Sequence, residues 1–352
     1  METRSQLWPG VPLALGSAVL FGASTPLSKL LIGSVDPWLL AGILYFGAGI
    51  GLAVMHVARP LLGLGRTEAQ IGRADVPWLL AVTVFGGILG PLLLLLGLAQ
   101  TSASSGALLL NLEGLATMAI AWLVFRENVD RRLLLGAAAI LAGAVLLSWE
   151  GQGVRFDSGS LLIAAACLCW GIDNNLTRKL SALDPVQIAM VKGLVAGTTN
   201  LTLALALGAS MPVSGILAAG GVVGFLGVGV SLVMFILGLR HLGTARTGAY
   251  FSLAPFIGAA LSLAIFREPL SAQLIVAGLL MAFGLWLHLQ ESHDHDHVHE
   301  AMEHDHAHVH DEHHQHDHDG PVTEPHSHWH RHEVLRHKHP HYPDLHHRHR
   351  HG

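Results

Sequence analysis

An all-α membrane protein is the fold class this sequence predicts, with ten transmembrane helices in two inverted five-helix repeats and a disordered, His-rich cytoplasmic tail. Three observations predict it: apolar runs of transmembrane length, a one-sided distribution of Lys and Arg between them, and internal repetition. The chain is 51% hydrophobic and only 13% charged, with 40 glycines among 352 residues. A soluble domain of this length would need far more surface charge. Runs of about 20 apolar residues are what a hydrocarbon core of roughly 30 Å requires.

Hydropathy places helices near 11–31, 37–58, 76–98, 102–125, 132–149, 159–177, 185–207, 214–239, 245–266 and 271–289. The first could pass for a signal peptide, but its apolar run extends to about residue 32 and similar runs follow. Asp36-Pro37, Asp75-Val76-Pro77 and Asp184-Pro185 mark helix starts, with a carboxylate at the positive dipole end and proline in the first turn. Proline also predicts a break in the first helix at Ser24-Thr25-Pro26, where a freed carbonyl could face a cavity. Gly220, Gly221, Gly224, Gly227 and Gly229 form a small-residue face for close helix packing. Cys167 and Cys169 lie two apart in an apolar run and read as small buried hydrophobes.

With the N-terminus inside, the cytoplasmic connections carry Arg4, Arg59, Arg66, Arg73, Arg126, Arg131, Arg132, Arg178, Lys179, Arg240 and Arg246. The other side carries Lys29, Arg155 and Arg267. That bias predicts cytoplasmic termini in an inner or plasma membrane. The halves, 1–150 and 151–290, also resemble each other. Phe21-Gly22 through Lys29 parallels Trp170-Gly171 through Arg178, and Asp36-Pro37 answers Asp184-Pro185. Phe125-Arg126-Glu127 and Gly143 answer Phe266-Arg267-Glu268 and Gly284 at a constant offset of 141 residues. An odd number of helices per repeat inverts the second copy, the architecture of alternating-access carriers.

The run Asn111-Leu112-Glu113-Gly114, followed by Ala121-Trp122-Leu123-Val124-Phe125-Arg126-Glu127, resembles an EamA-type repeat of the drug/metabolite transporter superfamily. So does Leu253-Ala254-Pro255-Phe256 through Phe266-Arg267-Glu268-Pro269-Leu270, continued by Gly278 and Gly284. The resemblance covers about residues 12–289. It implies ten helices, two inverted repeats around a central cavity, and secondary transport, often export, of small metabolites. It does not imply a substrate.

An ionisable side chain at bilayer depth costs roughly 2.5–3.5 kcal/mol on insertion scales and faces a cavity or a partner. Glu113, with Asn111 two residues earlier, lies a third to halfway along the fourth predicted helix and is a candidate for proton exchange. The alternative is a neutral carboxyl bonded to a neighbouring helix. Asp173, beside Asn174 and Asn175, and Lys192 lie at depths that agree within one turn, so they can pair. Such a pair either fixes helix register or belongs to the substrate path.

Segment 291–352 holds all the histidines except His56, His241 and His288. It has a net charge of −8, against +3 for residues 1–290, with an acidic first half and a basic second half. With few aliphatic residues it cannot bury a core, and composition predicts a disordered chain. His-x-His in extended chain sets two imidazoles on one side, a donor pattern suited to Zn, Ni or Co. The acidic half supplies the candidate metal ligands: His293, His295, His297, His299, His304, His306, His308, His310, His313, His314, His316 and His318. Collective protonation near neutral pH and plain solvated low-complexity sequence remain alternatives.

The expected function is secondary transport, as an exporter of small metabolites, with a metal-binding regulatory tail. A divalent Zn/Ni/Co transporter and a non-transporting membrane metal store or sensor are the competing readings. No nucleophile, phosphate loop or redox motif indicates an enzyme, and no cofactor is required. The expected partners are the lipid bilayer, a small-molecule or metal-ion substrate and, as a candidate assembly, a homodimer; no nucleic acid is expected.

Overall fold

The computed structural model describes residues 9–61, 71–125, 131–149, 157–177, 180 and 183–289, together with four backbone segments of the tail. The body is helical. In chain order the helices are α1 (Gly10–Ile32), α2 (Pro37–Leu61), α3 (Val76–Val82), α4 (Gly90–Gln100), α5 (Ala103–Leu109), α6 (Leu112–Phe125) and α7 (Arg131–Leu147). The second half follows with α8 (Ser158–Thr177), α9 (Pro185–Ala206), α10 (Ser214–Gly224), α11 (Ser231–Phe251), α12 (Ala254–Phe266) and α13 (Ala272–Leu289). Seven helical stretches among the described residues are long and apolar enough to cross a membrane, and Ala254–Phe266 and Ala272–Leu287 are shorter apolar helices. Large apolar side chains such as Val57, Leu123 and Leu279 are exposed on the outside of the bundle. That distribution suits lipid rather than water as the surrounding medium.

Several expected helices depart from regularity, each for a local reason. A π-helical segment, Thr83–Leu89, joins α3 to α4, and a second, Phe225–Val230, joins α10 to α11. The predicted fourth helix breaks at Leu110-Asn111, where the Asn111 side-chain amide donates to Leu108 O at 2.8 Å and ends α5. The predicted ninth helix breaks at Ser252-Leu253, just before Pro255, whose ring nitrogen cannot continue the hydrogen-bond ladder. Pro26, by contrast, does not interrupt α1. The carbonyl it leaves free, Gly22 O, lies against Gly258 of α12, where a Cβ would stand only 2.8 Å away.

The connection expected near 240–245 is helical in backbone but reverses direction. A Cβ on Gly238 would lie 3.1 Å from Thr247 Cγ2. Nine residues of straight helix would separate them by about 13 Å. The hairpin between α4 and α5 closes in the same way, with Leu98 against Gly106. α1 spans the distance between the two hairpins. Gly10 at its start meets Leu242, while Lys29 near its end donates to Thr101 O at 2.9 Å.

Glycine sets the closest helix crossings. Gly42 meets Leu201, Phe46 meets Gly197, and Gly49 meets Gly193 and Leu194, an antiparallel run of contacts between α2 and α9. In α7 and α13, Gly143 faces Ala277 O while Gly284 faces Gly136 O, again antiparallel. Gly224 packs on the Leu44 carbonyl, so the glycine face of α10 serves packing as expected. Van der Waals contact is what holds helices together in lipid, and only small residues let backbones come this close.

In the tail, His293–His299 pairs antiparallel with Leu335–His341, and Met302–His308 with His326–His332. The two-residue alternation of histidine suits a strand, and the register sets Asp296 opposite Lys338 and Glu303 opposite Arg331.

A Cβ at Gly49 would stand 2.5 Å from the Leu194 backbone nitrogen, whereas one at Gly221 would meet nothing within 4 Å. Gly49→Val is therefore expected to destabilise the protein by roughly 1–3 kcal/mol or more, and Gly221→Ala to leave it unchanged or slightly more stable. Thermal melting in detergent checks both.

Candidate functional site

The site is built on the first π segment. The π ladder would offer Gly86 O the N–H of residue 91, but Pro91 has none and Gly90 N–H goes to Phe85 O, so in hydrocarbon this carbonyl must find another donor. Gly86 O receives two: Tyr45 Oη from α2 at 2.8 Å and Trp170 Nε1 from α8 at 3.1 Å. Gly87 O lies 3.4 Å from Asn200 Nδ2 of α9. Tyr45 and Trp170, one from each half of the chain, then line a cleft with Phe21, Ser24, Thr25 and Ser28 of α1. Pro91, Leu94 and Leu95 of α4 and Val228 of the second π segment complete its wall. The cleft is chiefly apolar, aromatic and aliphatic, with Ser24 half-buried and Thr25 and Ser28 almost fully buried on its α1 side. Ser24 Oγ donates to Phe21 O at 2.6 Å, which leaves its lone pairs available.

The other face of Gly86 carries the charge. Lys192 Nζ donates to Asp173 Oδ2 at 2.5 Å, and both side chains are nearly buried. Thr177 Oγ1 donates to Asp173 Oδ1 at 3.2 Å. Only a glycine fits beside this pair, since a Cβ at position 86 would lie 2.0 Å from Asp173 Oδ2 and 2.6 Å from Lys192 Nζ. Depth matching on two sequence-adjacent helices was enough to expect this contact.

Glu113 stands in the first turn of α6, after the break, and is half-buried. Asn174 Nδ2 donates to Glu113 Oε1 at 2.9 Å and to Thr117 Oγ1 at 3.2 Å. The structure therefore brings Glu113 together with Asn174, and Asp173 with Lys192, on consecutive residues of α8. Asn111 joins neither group; it caps α5 and touches Met281. Asn175 donates to Thr117 O and Gly171 O, while its own Oδ1 is buried without a partner.

Sequence reasoning missed Tyr45, Trp170 and Gly86. The one available signal was Gly86-Gly87, a small-residue pair inside an otherwise bulky apolar run. It also missed a cluster around the α4–α5 turn, where Asp157 accepts from Thr101 Oγ1 at 2.9 Å and caps α8 through Gly159 N and Ser160 N. Burial alone would raise the Asp157 carboxyl, but the hydrogen bonds from Thr101, Gly159 and Ser160 outweigh it and hold it below the usual carboxylate range. Cys167 is buried, as expected of a small hydrophobe. No group of three or more His, Cys, Asp or Glu among the described residues could hold a metal ion. The side chains of the tail histidines His293–His318 lie outside the described residues.

Comparison with known proteins agrees with this architecture. The profile of the EamA-like transporter family matches residues 8–149 and again residues 157–290. An uncharacterized transporter of Methanothermobacter thermautotrophicus is 31% identical over 297 residues, covering 80% of this chain and 86% of that protein. A probable amino-acid metabolite efflux pump of Salmonella typhimurium is 26% identical over 302 residues, covering 79% of this chain and 93% of the pump. A crystal structure at TM-score 0.59 and 20% identity, covering 79% of this chain and 94% of its own, shares the fold. The chain is a multi-pass membrane transporter and belongs to the EamA-like transporter family.

The Asp173–Lys192 contact sets an expectation for stability. Either Asp173→Asn or Lys192→Asn strands a buried charge at a cost of roughly 3–5 kcal/mol, and the double variant recovers part of it. Unfolding of the four proteins of this cycle in detergent measures the coupling, and additive losses contradict it.

Proposed function

We propose that the protein is a secondary transporter that exports small metabolites of the amino-acid class from the cytoplasm by alternating access of two inverted five-helix repeats. The observation that carries this reading is the cleft, walled by residues of both halves and hung from Gly86 O by Tyr45 and Trp170. Its chiefly apolar wall of aromatic and aliphatic side chains, with Ser24 as a polar group on one side, suits a compact solute that carries an apolar part. The family profile matching once per half supports the repeat. So do the antiparallel contacts of α2 with α9 and of α7 with α13, because copies that meet antiparallel are related by an axis lying in the membrane. The efflux pump of Salmonella typhimurium supports the solute class. Loop charges support an inner or plasma membrane with both termini in the cytoplasm.

Within this reading Glu113 carries the exchangeable proton. It sits at a helix break, half-buried, with Asn174 of the facing half as its one side-chain donor among the described residues. Asp173 and Lys192 hold the π segment that shapes the cleft. The tail binds a divalent Zn, Ni or Co ion through the His293–His318 region and regulates flux, a reading supported by its alternating imidazoles and carboxylates. Nothing among the described residues favours a divalent-metal carrier or a non-transporting metal store.

Purified protein in proteoliposomes loaded with labelled threonine, leucine or tryptophan should show counterflow above that of protein-free vesicles. No flux across this panel from folded protein would overturn the substrate class. Glu113→Gln should abolish uptake driven by a pH gradient while leaving counterflow, and equal loss of both rejects proton coupling. For the tail, titration calorimetry with Zn(II) should give a saturable signal for the full chain and none for a chain ending at residue 290.

A further inference from the structure

The α4–α5 turn, Gln100 to Ser104, is held by side chains from three other parts of the fold, among them Ser158 at the start of α8, which donates to Gln100 Oε1 at 2.7 Å. Lys29, near the end of α1, donates to Leu98 O and to Thr101 O, the latter at 2.9 Å, and so caps the C-terminus of α4. Glu268, beyond the end of α12, accepts from Ala103 N at 2.9 Å, from Ser104 N at 3.2 Å and from the Ser104 hydroxyl, and so caps the N-terminus of α5. Asp157, at the start of α8, accepts from Thr101 Oγ1. Arg267, immediately before Glu268, is the only described non-glycine residue with a left-handed backbone, at φ 52°. That conformation costs about 1–2 kcal/mol and turns the chain back so that Glu268 reaches the turn.

The position of this cluster gives it a role. Ser24, Thr25 and Ser28 of α1 and Pro91, Leu94 and Leu95 of α4 face each other across the cleft. One residue past Ser28, and one turn past Leu94, Lys29 ties α1 to α4. A solute leaving the cleft between these helices at this end must part that contact. Ammonium to carbonyl and carboxylate to amide are the charge-assisted hydrogen bonds, strong where formed and replaceable by water once the face opens.

We propose that Lys29 and Glu268 are positioning residues that clasp the α4–α5 turn and hold this end of the transport path shut. The proposal rests on the transport reading above and deepens it by naming what closes one face. Glu268 reaches the turn from the second half of the chain, whereas Lys29 ties α1 to it within the first half, so a relative movement of the halves parts the Glu268 contact while Lys29 keeps the turn on α1. Asp157, also from the second half, accepts from Thr101 on the same turn and is parted by the same movement.

Cysteine labelling tests the clasp without any solute. Ser24→Cys is introduced into a chain with Cys167→Ser and Cys169→Ser, and a membrane-impermeant maleimide is applied to vesicles of either orientation. Ser34→Cys, exposed just beyond α1, reports which vesicles present the Lys29 face. Lys29→Met and Glu268→Gln are each expected to speed labelling at position 24 about tenfold from that face, the effect of losing one charge-assisted bond, and little from the other. Lys29→Arg, whose guanidinium still donates to both carbonyls, is expected to keep the parent rate. Unchanged labelling from the Lys29 face, or an equal rise from both faces, overturns the clasp. Should one variant fail to melt cooperatively, the other decides. Counterflow on the parent protein and on Lys29 and Glu268 variants that keep Ser24 separates the two readings: altered labelling without flux rejects transport and keeps the clasp, while flux with unaltered labelling does the reverse.

Discussion

The carbonyl of Gly86 is the constraint on which the centre of this protein depends. A bilayer offers no water to satisfy a backbone oxygen that Pro91 leaves without a helical donor. Two aromatic side chains satisfy it, and both end up walling the cleft. The hydrogen on the other side of the same α-carbon is what lets Asp173 and Lys192 meet. One residue without a side chain therefore determines the shape of the cleft and the place of the buried charges together. Neither could move without the other.

Much of the helical organisation was legible in the sequence because the bilayer enforces length and apolarity on each crossing separately. The Asp173–Lys192 contact was legible because both residues lie on helices joined by one short connection, so depth alone predicts their meeting. Lys29 and Glu268 were not, since their partners are backbone groups of a turn, which carry no residue-specific signal. The bond of Asn111 to Leu108 O was hidden for a related reason: it lies at a helix end that hydropathy reads as continuous. Pro26 misled in the opposite sense, because the carbonyl it frees is covered by Gly258, a contact that exists only after α12 has packed.

Glycine does for this bundle what large apolar residues do for a soluble core. Gly49 against Gly193, and Gly143 and Gly284 against the α13 and α7 backbones, bring helix axes close enough for carbonyls to touch α-carbons. Shape complementarity, rather than exclusion of water, holds such helices together. The composition of the chain, rich in glycine and poor in charge, follows from that medium.

The wide turn at Thr83–Leu89 has a consequence for how this helix presents itself on either side. An α-helix advances about 100° per residue, and a π turn absorbs extra residues without a matching advance of the ladder. Leu79 and Val82 before it join a cluster with Leu180 and Ile188, whereas Leu95 and Leu98 after it join the main core with Ile163. The segment thus acts as a phase shifter, letting one membrane crossing serve two different neighbours. It also gives the chain a place where a residue could be gained or lost in the course of divergence, altering the angle between the two faces while leaving each intact.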